Sequence, residues 1–222
     1  MSPKIRFCLI ATAMVLSGAI TCLLLLTVFD SLLQTGAMLS FDTRTQALVH
    51  SWTNPSVTAV ALALTWLGAI KIFAVGLGLF VGFVFVRGRR YVAVVLGLAI
   101  TGAFLLNEGL KVHFHRARPS VRWSIGDEHT YSYPSGHSLF AVVLYGTLLW
   151  LAMREGRSAW NAMVAVTLAI GIGISRIYLG MHWPTDVLAG WLAGGIWLAT
   201  VIGIDRAWTS LAYIESDGIS PD

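Results

Sequence analysis

Apolar residues dominate the chain in long stretches, interrupted by short polar segments that hold most of its charge. A helix needs about 20 apolar residues to cross a bilayer core. Six stretches approach or reach that length, at about 7–29, 68–86, 91–111, 135–153, 159–176 and 184–204. The pattern predicts an all-α polytopic membrane protein, a single domain over 1–222 in which six transmembrane helices form a bundle. Between the first two stretches the pattern changes. Asp30, Asp42, Arg44, His50, Asn54 and Pro55 precede an apolar piece from Val57 to Leu67 that is too short to span alone. It predicts an interfacial helix that leads into the second span through Gly68.

The first stretch follows Lys4 and Arg6, and it exceeds the apolar core of about 7–15 residues typical of a signal peptide, with no clear cleavage site. It is read as a retained helix. Gly78 with Gly82, and Gly190 with Gly194, have the small-xxx-small spacing that lets helices approach closely. Trp52, Trp66, Trp123 and Trp183 fall at one level, and Trp150, Trp160 and Trp208 at the other, as aromatic belts require. The segment 205–222 is expected to form a cytoplasmic tail, polar from Glu215 onward.

Composition supports the membrane reading. Hydrophobic residues make up 56% of the 222 and charged residues 12%, against about 25% charged in a soluble domain. The formal net charge of +4 does not point to nucleic acid, because the cations are scattered in clusters between apolar runs, as suits headgroups. Membrane lipids are the expected surroundings. Cys8 and Cys22 lie roughly 21 Å apart on one helix at about 1.5 Å per residue, too far to bridge.

Cations also orient the chain. Lys4 and Arg6, Arg87, Arg89 and Arg90, Arg154 and Arg157, and Arg206 fall at alternate span ends, which the positive-inside rule makes cytoplasmic. Both termini are then cytoplasmic. The opposite side still carries Arg44, Lys71, Lys111, Arg116, Arg118, Arg122 and Arg176, an excess that asks for a second purpose. For Arg44, Lys71 and Arg122 snorkelling to the interface is sufficient.

Three polar clusters emerge on that same side. One runs from Lys111 through Arg118 to Pro119, one is Pro134-Ser135-Gly136-His137 at the start of the fourth span, and one extends from Ser175 and Arg176 to His182 and Asp186. Lys111, Arg118 and Arg176 supply three cations suited to the oxygens of one phosphate. Ser135 and Gly136 sit at a helix start, whose N–H groups and dipole attract an anion. Of two histidines, one can attack phosphorus when neutral while the other protonates the leaving oxygen. His182 and Asp186 are four apart at a helix start, within reach of each other.

These residues resemble a family. Lys-x6-Arg-Pro at 111–119, Pro-Ser-Gly-His at 134–137 and Ser-Arg-x5-His-x3-Asp at 175–186 are similar, in order and in topology, to the full signature of the type 2 phosphatidic acid phosphatase superfamily, in its bacterial six-helix membrane lipid phosphatase branch. The motif region covers roughly 105–190. The resemblance implies His182 as the nucleophile that forms a phosphohistidine, Asp186 as its orienting partner and His137 as general acid, then as the base that activates water. Lys111, Arg118, Ser135, Gly136 and Arg176 would hold the phosphoryl oxygens. It implies no cofactor and no metal, and a site facing the periplasm from a bacterial inner membrane. The substrate would be a lipid phosphate or diphosphate monoester: phosphatidic acid, phosphatidylglycerophosphate, undecaprenyl diphosphate or a lipid A phosphate.

Two other functions use the same residues: phosphoryl transfer to an acceptor other than water, and transport of anionic lipid without cleavage. Against transport, the charges cluster at one end of the spans rather than at the midplane, and no inverted repeat is visible. His113, His115 and His129, beside Asp127 and Glu128, lack zinc-site spacing and are read as loop residues near the headgroup. Glu108 is expected to pair with Lys111, Asn107 to be structural, and Tyr178 and Trp183 to line the belt or pocket wall. Oligomeric state is left open by the sequence.

Overall fold

The computed structural model describes residues 2–68, 70–120, 131–156 and 159–216, with the backbone alone for Pro3, 70–77, 159 and 212–216. Eight helices follow one another: α1 Pro3–Leu33, α2 Gly36–His50, α3 Pro55–Leu67, α4 Ile70–Val86, α5 Arg90–Phe114, α6 Gly136–Arg154, α7 Ala159–Tyr178 and α8 Pro184–Ser216. No strand occurs among the described residues. Five of the helices, α1, α5, α6, α7 and α8, are long and apolar enough to cross a membrane. α4, at 17 residues, occupies the predicted second span. It is shorter than that prediction because α3 ends at the Gly68 cap and α4 starts only at Ile70.

Local sequence explains the boundaries. Ser2 caps α1, its Oγ accepting from the Ile5 N–H at 3.4 Å, with Pro3 at the first helical position. Asn54 and Pro55 repeat the device at α3, where Asn54 Oδ1 accepts from Val57 N–H at 2.9 Å. α8 continues well past the predicted end at 204, because no Gly or Pro interrupts 204–216. Most of the predicted tail is therefore helix, and its polar part from 217 onward lies outside the described residues. The interfacial region is also more structured than predicted. It contains two helices, and the first, α2, turns Asp42, Gln46 and Val49 inward at i, i+4 and i+7.

α6 and α8 form the centre of the bundle. A Cβ on Gly190 would meet the Ser135 carbonyl oxygen at 2.5 Å, and one on Gly194 the Leu139 carbonyl oxygen at 2.8 Å. Only glycine allows that backbone approach. The same spacing at Gly78 and Gly82 has no such consequence, since a Cβ at either position would meet nothing within 4 Å. α5 closes on α8 through Gly102, over which the Trp197 ring lies while its Nε1 donates to the Ala99 carbonyl at 2.8 Å. Around these contacts Leu96, Ala99, Ala103, Leu139, Val143, Ala189, Ala193 and Val201 form a buried core. α3 crosses the last two turns of α7, with Thr58 Oγ1 2.7 Å from the Tyr178 hydroxyl and Thr65 Oγ1 2.9 Å from Ser175 Oγ. Cys8 is exposed and Cys22 buried, both as free thiols.

At the end of the bundle marked by Arg89, Arg154 and Arg206, one buried carboxylate gathers the neighbouring helices. Asp205 accepts from Trp150 Nε1 at 2.9 Å and from Arg154 at 2.5 Å, and the Tyr91 hydroxyl bonds to its other oxygen. Arg206 stacks over Trp150 at 4.9 Å, and Arg89 pairs with Glu155.

Candidate active site

Three chain segments meet at the opposite end. α5 stops at His115, which has φ 52 and donates its N–H to the Lys111 carbonyl at 3.1 Å. That left-handed residue turns the chain out of the helix and into the irregular segment 116–120. α7 stops at Gly180, where φ is 70. The Gly180 N–H bonds to the Ile177 carbonyl and the Met181 N–H to the Arg176 carbonyl, both at 3.0 Å, a Schellman ending that favours glycine. The His182 N–H also reaches the Arg176 carbonyl, at 3.3 Å. α6 starts at Gly136 with Ser135 as its cap, whose Oγ accepts from Ser138 Oγ at 3.0 Å.

These ends are tied together by the backbone. The Ser135 N–H donates to the Asp186 carbonyl at 2.9 Å, joining the start of α6 to the start of α8. Ser132 draws in the segment after α5, its N–H bonding to the Arg116 carbonyl at 2.8 Å and its Oγ to the Ala117 carbonyl at 2.9 Å. Tyr133, fully buried beside it, donates its hydroxyl to the Leu26 carbonyl at 3.2 Å, and burial pushes its phenol well up. Asn107 lies against Gly136: a Cβ there would sit 3.3 Å from either end of the Asn107 amide. Lys111 is one turn further along the same face of α5.

His182 is the best-defined group. It is 1% exposed. Its Nε2 lies 3.1 Å from an Arg118 Nη1 that also donates to the Met181 carbonyl at 2.8 Å. Arginine can only donate, so Nε2 presents a lone pair and the proton of a neutral ring sits on Nδ1. Nδ1 faces Asp186 Oδ2 at 3.5 Å. The same Oδ2 accepts the Trp183 N–H at 2.9 Å, so the carboxylate is fixed at the start of α8. Ser135, Gly136, Arg176 and Asp186 are buried, while Lys111, Arg118 and His137 are half-buried. His137 packs toward the end of α3, its Cδ2 3.4 Å from where a Gly68 Cβ would stand.

Two residues at this end have no place in the predicted set. Arg116 Nη1 donates to Asp186 Oδ1 at 2.5 Å and to Thr185 Oγ1 at 2.8 Å, and its Nη2 to Asp42 Oδ2 at 2.8 Å. Asp42 is fully buried and also accepts from Thr185, through the N–H at 2.9 Å and the hydroxyl at 2.7 Å. The sequence counts Arg116 among the surplus outer cations but gives no sign of its partner, which lies 74 positions away. Glu108, expected to pair with Lys111, accepts from Asn107 Nδ2 at 3.0 Å. Arg122, Trp123, Asp127, Glu128 and His129 lie outside the described residues. His115 packs edge-on against Tyr131, ring centres 4.6 Å apart, and His113 against Phe114 at 4.8 Å.

Comparison with known proteins agrees with both the motifs and the architecture. The chain is 30% identical over 163 residues to phosphatidylglycerophosphatase B of Bacillus subtilis, covering 69% of this chain and 77% of that protein. It is 29% identical over 143 residues to an undecaprenyl-diphosphatase of Sulfolobus acidocaldarius, covering 62% and 61% respectively. A crystal structure of a transmembrane PAP2 type phosphatidylglycerolphosphate phosphatase from Bacillus subtilis superimposes with a TM-score of 0.72 at 28% identity, over 85% of this chain and 96% of that one. The sequence model of the PAP2 superfamily matches residues 90–209, the interval from the start of α5 nearly to the end of α8 that holds all three clusters. The chain therefore belongs to the PAP2 superfamily, as a phosphatase integral to the membrane.

Proposed function

We propose that this protein hydrolyses the phosphate or diphosphate monoester of a membrane lipid through a phosphohistidine on His182. The observation that carries the proposal is the environment of His182: Arg118 at Nε2 places the lone pair on that nitrogen, and Asp186 faces Nδ1. Nε2 attacks phosphorus as the bond from phosphorus to the leaving oxygen breaks. His137, protonated, gives its proton to that oxygen, so a lipid alcohol or lipid phosphate departs. Water then attacks the phosphohistidine while His137 takes its proton, and inorganic phosphate leaves with His182 neutral again.

Arg118 releases Nε2 and turns its donors to the phosphoryl oxygens, joined by Lys111, Arg176 and the start of α6 at Ser135 and Gly136. Preorganised donors of this kind favour the more highly charged transition state. A lipid substrate is supported by the position of the site, at one end of a bundle of helices long and apolar enough to cross a membrane. The site faces the periplasm of a bacterial inner membrane, with Arg89, Arg154 and Arg206 at the cytoplasmic end. Phosphatidylglycerophosphate and undecaprenyl diphosphate stand first among the candidate lipids, since the relatives above are named for them.

Purified protein in detergent, given a panel of phosphatidic acid, phosphatidylglycerophosphate, undecaprenyl diphosphate and lipid A with EDTA present, should release inorganic phosphate from at least one. Labelled substrate quenched in alkali should leave acid-labile phosphate on the wild type and none on His182→Ala. Undiminished turnover by that variant would refute the mechanism. An organic product bearing the phosphoryl group would indicate transfer in place of hydrolysis.

A further inference from the structure

α8 begins with a problem that its own sequence does not solve. Its cap position is Trp183, whose side chain cannot accept a hydrogen bond from the first turn, and Pro184 follows. Asp186, at the third helical position, reaches back to the Trp183 N–H, but the Thr185 N–H still needs an acceptor. Asp42 supplies it from another helix, 143 positions away in sequence, while its second oxygen takes the Thr185 hydroxyl. Two carboxylates, Asp42 and Asp186, are thereby fully buried next to each other, and Arg116 bridges them with one nitrogen on each.

Arg116 differs from Arg118 in what is left for a substrate. Both terminal nitrogens of Arg116 are engaged by carboxylates and by Thr185. Arg118 instead has a nitrogen on His182 Nε2, where phosphorus would arrive. The charge of Arg116 is balanced within the protein, and it holds the face of Asp186 turned away from His182. Oδ2 is thereby kept for the Trp183 N–H and for His182 Nδ1.

We infer that Arg116 and Asp42 are positioning residues for the nucleophile: α2 docks on the start of α8, Asp42 fixes Arg116, Arg116 fixes the Asp186 carboxylate, and Asp186 sets the ring of His182. The inference rests on the proposal that His182 is the nucleophile. It makes α2, which contributes no signature residue, part of the catalytic apparatus.

Kinetics on the panel lipid of highest turnover test it. Arg116→Lys keeps the charge but cannot bridge two carboxylates, and Asp42→Asn keeps the shape but loses the ion pair. Each should lower kcat by about 10- to 100-fold, the worth of a buried charge-assisted hydrogen bond, with KM within about twofold. Arg118→Lys, on the phosphate, should raise KM. The decisive measurement repeats Asp42→Asn in an Asp186→Asn background, where it should reduce kcat less than about twofold, because the path it acts through is already cut. An undiminished further loss there would make Asp42 a helix staple only, and a raised KM with normal kcat would make Arg116 a phosphate ligand. Either result overturns the inference. If His182→Ala remains active, the proposed mechanism fails; if it is inactive and the cycle is additive, only this inference fails.

Discussion

The bundle holds a buried aspartate gripped by an arginine at each end, and the two carboxylates differ in what else they face. Asp205 draws Trp150, Arg154 and Tyr91 onto one carboxylate, joining α5, α6 and α8. Asp186 is gripped by Arg116 in the same way, but its second oxygen faces a buried histidine whose far nitrogen points to Arg118. A buried ion pair in a membrane bundle is thus no sign of catalysis by itself. The difference lies in what the carboxylate is left to do: at the Asp205 end both oxygens are spent on holding helices, and at the Asp186 end one of them faces the histidine proposed as nucleophile.

Substitutions can break that comparison at either end. The largest effect is expected for His182→Ala, which should cut kcat for phosphate release by about 10⁴-fold or more without lowering the melting temperature in detergent. Asp186→Asn should cost about 10²- to 10⁴-fold in kcat, since an amide facing Nδ1 favours the wrong tautomer. Gly190→Val should reduce both activity and stability, because its Cβ would meet the Ser135 oxygen at 2.5 Å and overpacking of this kind costs about 1–3 kcal/mol. Gly78→Ala, with nothing within 4 Å of its Cβ, is the silent control. The smallest effect on turnover belongs to Asp205→Asn: kcat within about twofold, with stability lower by about 1–3 kcal/mol for the weakened buried network. If Asp205→Asn lost activity as Asp186→Asn does, the division of labour between the ends would be wrong.

The spans and the signature residues were readable in the sequence because both are local patterns. A run of apolar residues and a fixed spacing such as Ser-Arg-x5-His-x3-Asp need no partner to be recognised. What stayed hidden depends on long-range contact. Gly78 with Gly82 and Gly190 with Gly194 have identical spacing, and only the fold decides which pair meets a neighbouring backbone. Asp42 sits in a short helix of mixed composition, with nothing nearby to mark it, and its partners are 74 and 143 positions away. Arg116 left one trace, as part of an excess of cations on the outer side that the positive-inside rule does not explain. Lys111, Arg118 and Arg176 are assigned part of that excess by the proposed phosphate site, and Arg116 is taken up by Asp42 and Asp186.

The contact of Gly190 and Gly194 with the backbone of α6 ties the assembly of the site to the packing of two spans. Ser135, which caps the helix proposed to hold phosphate, rests its carbonyl on the face of α8 at Gly190, so the start of α6 is registered against the start of α8 by a seam between two spans. A bulkier side chain at Gly190 or Gly194 would therefore displace the start of α6 as well as loosen the bundle.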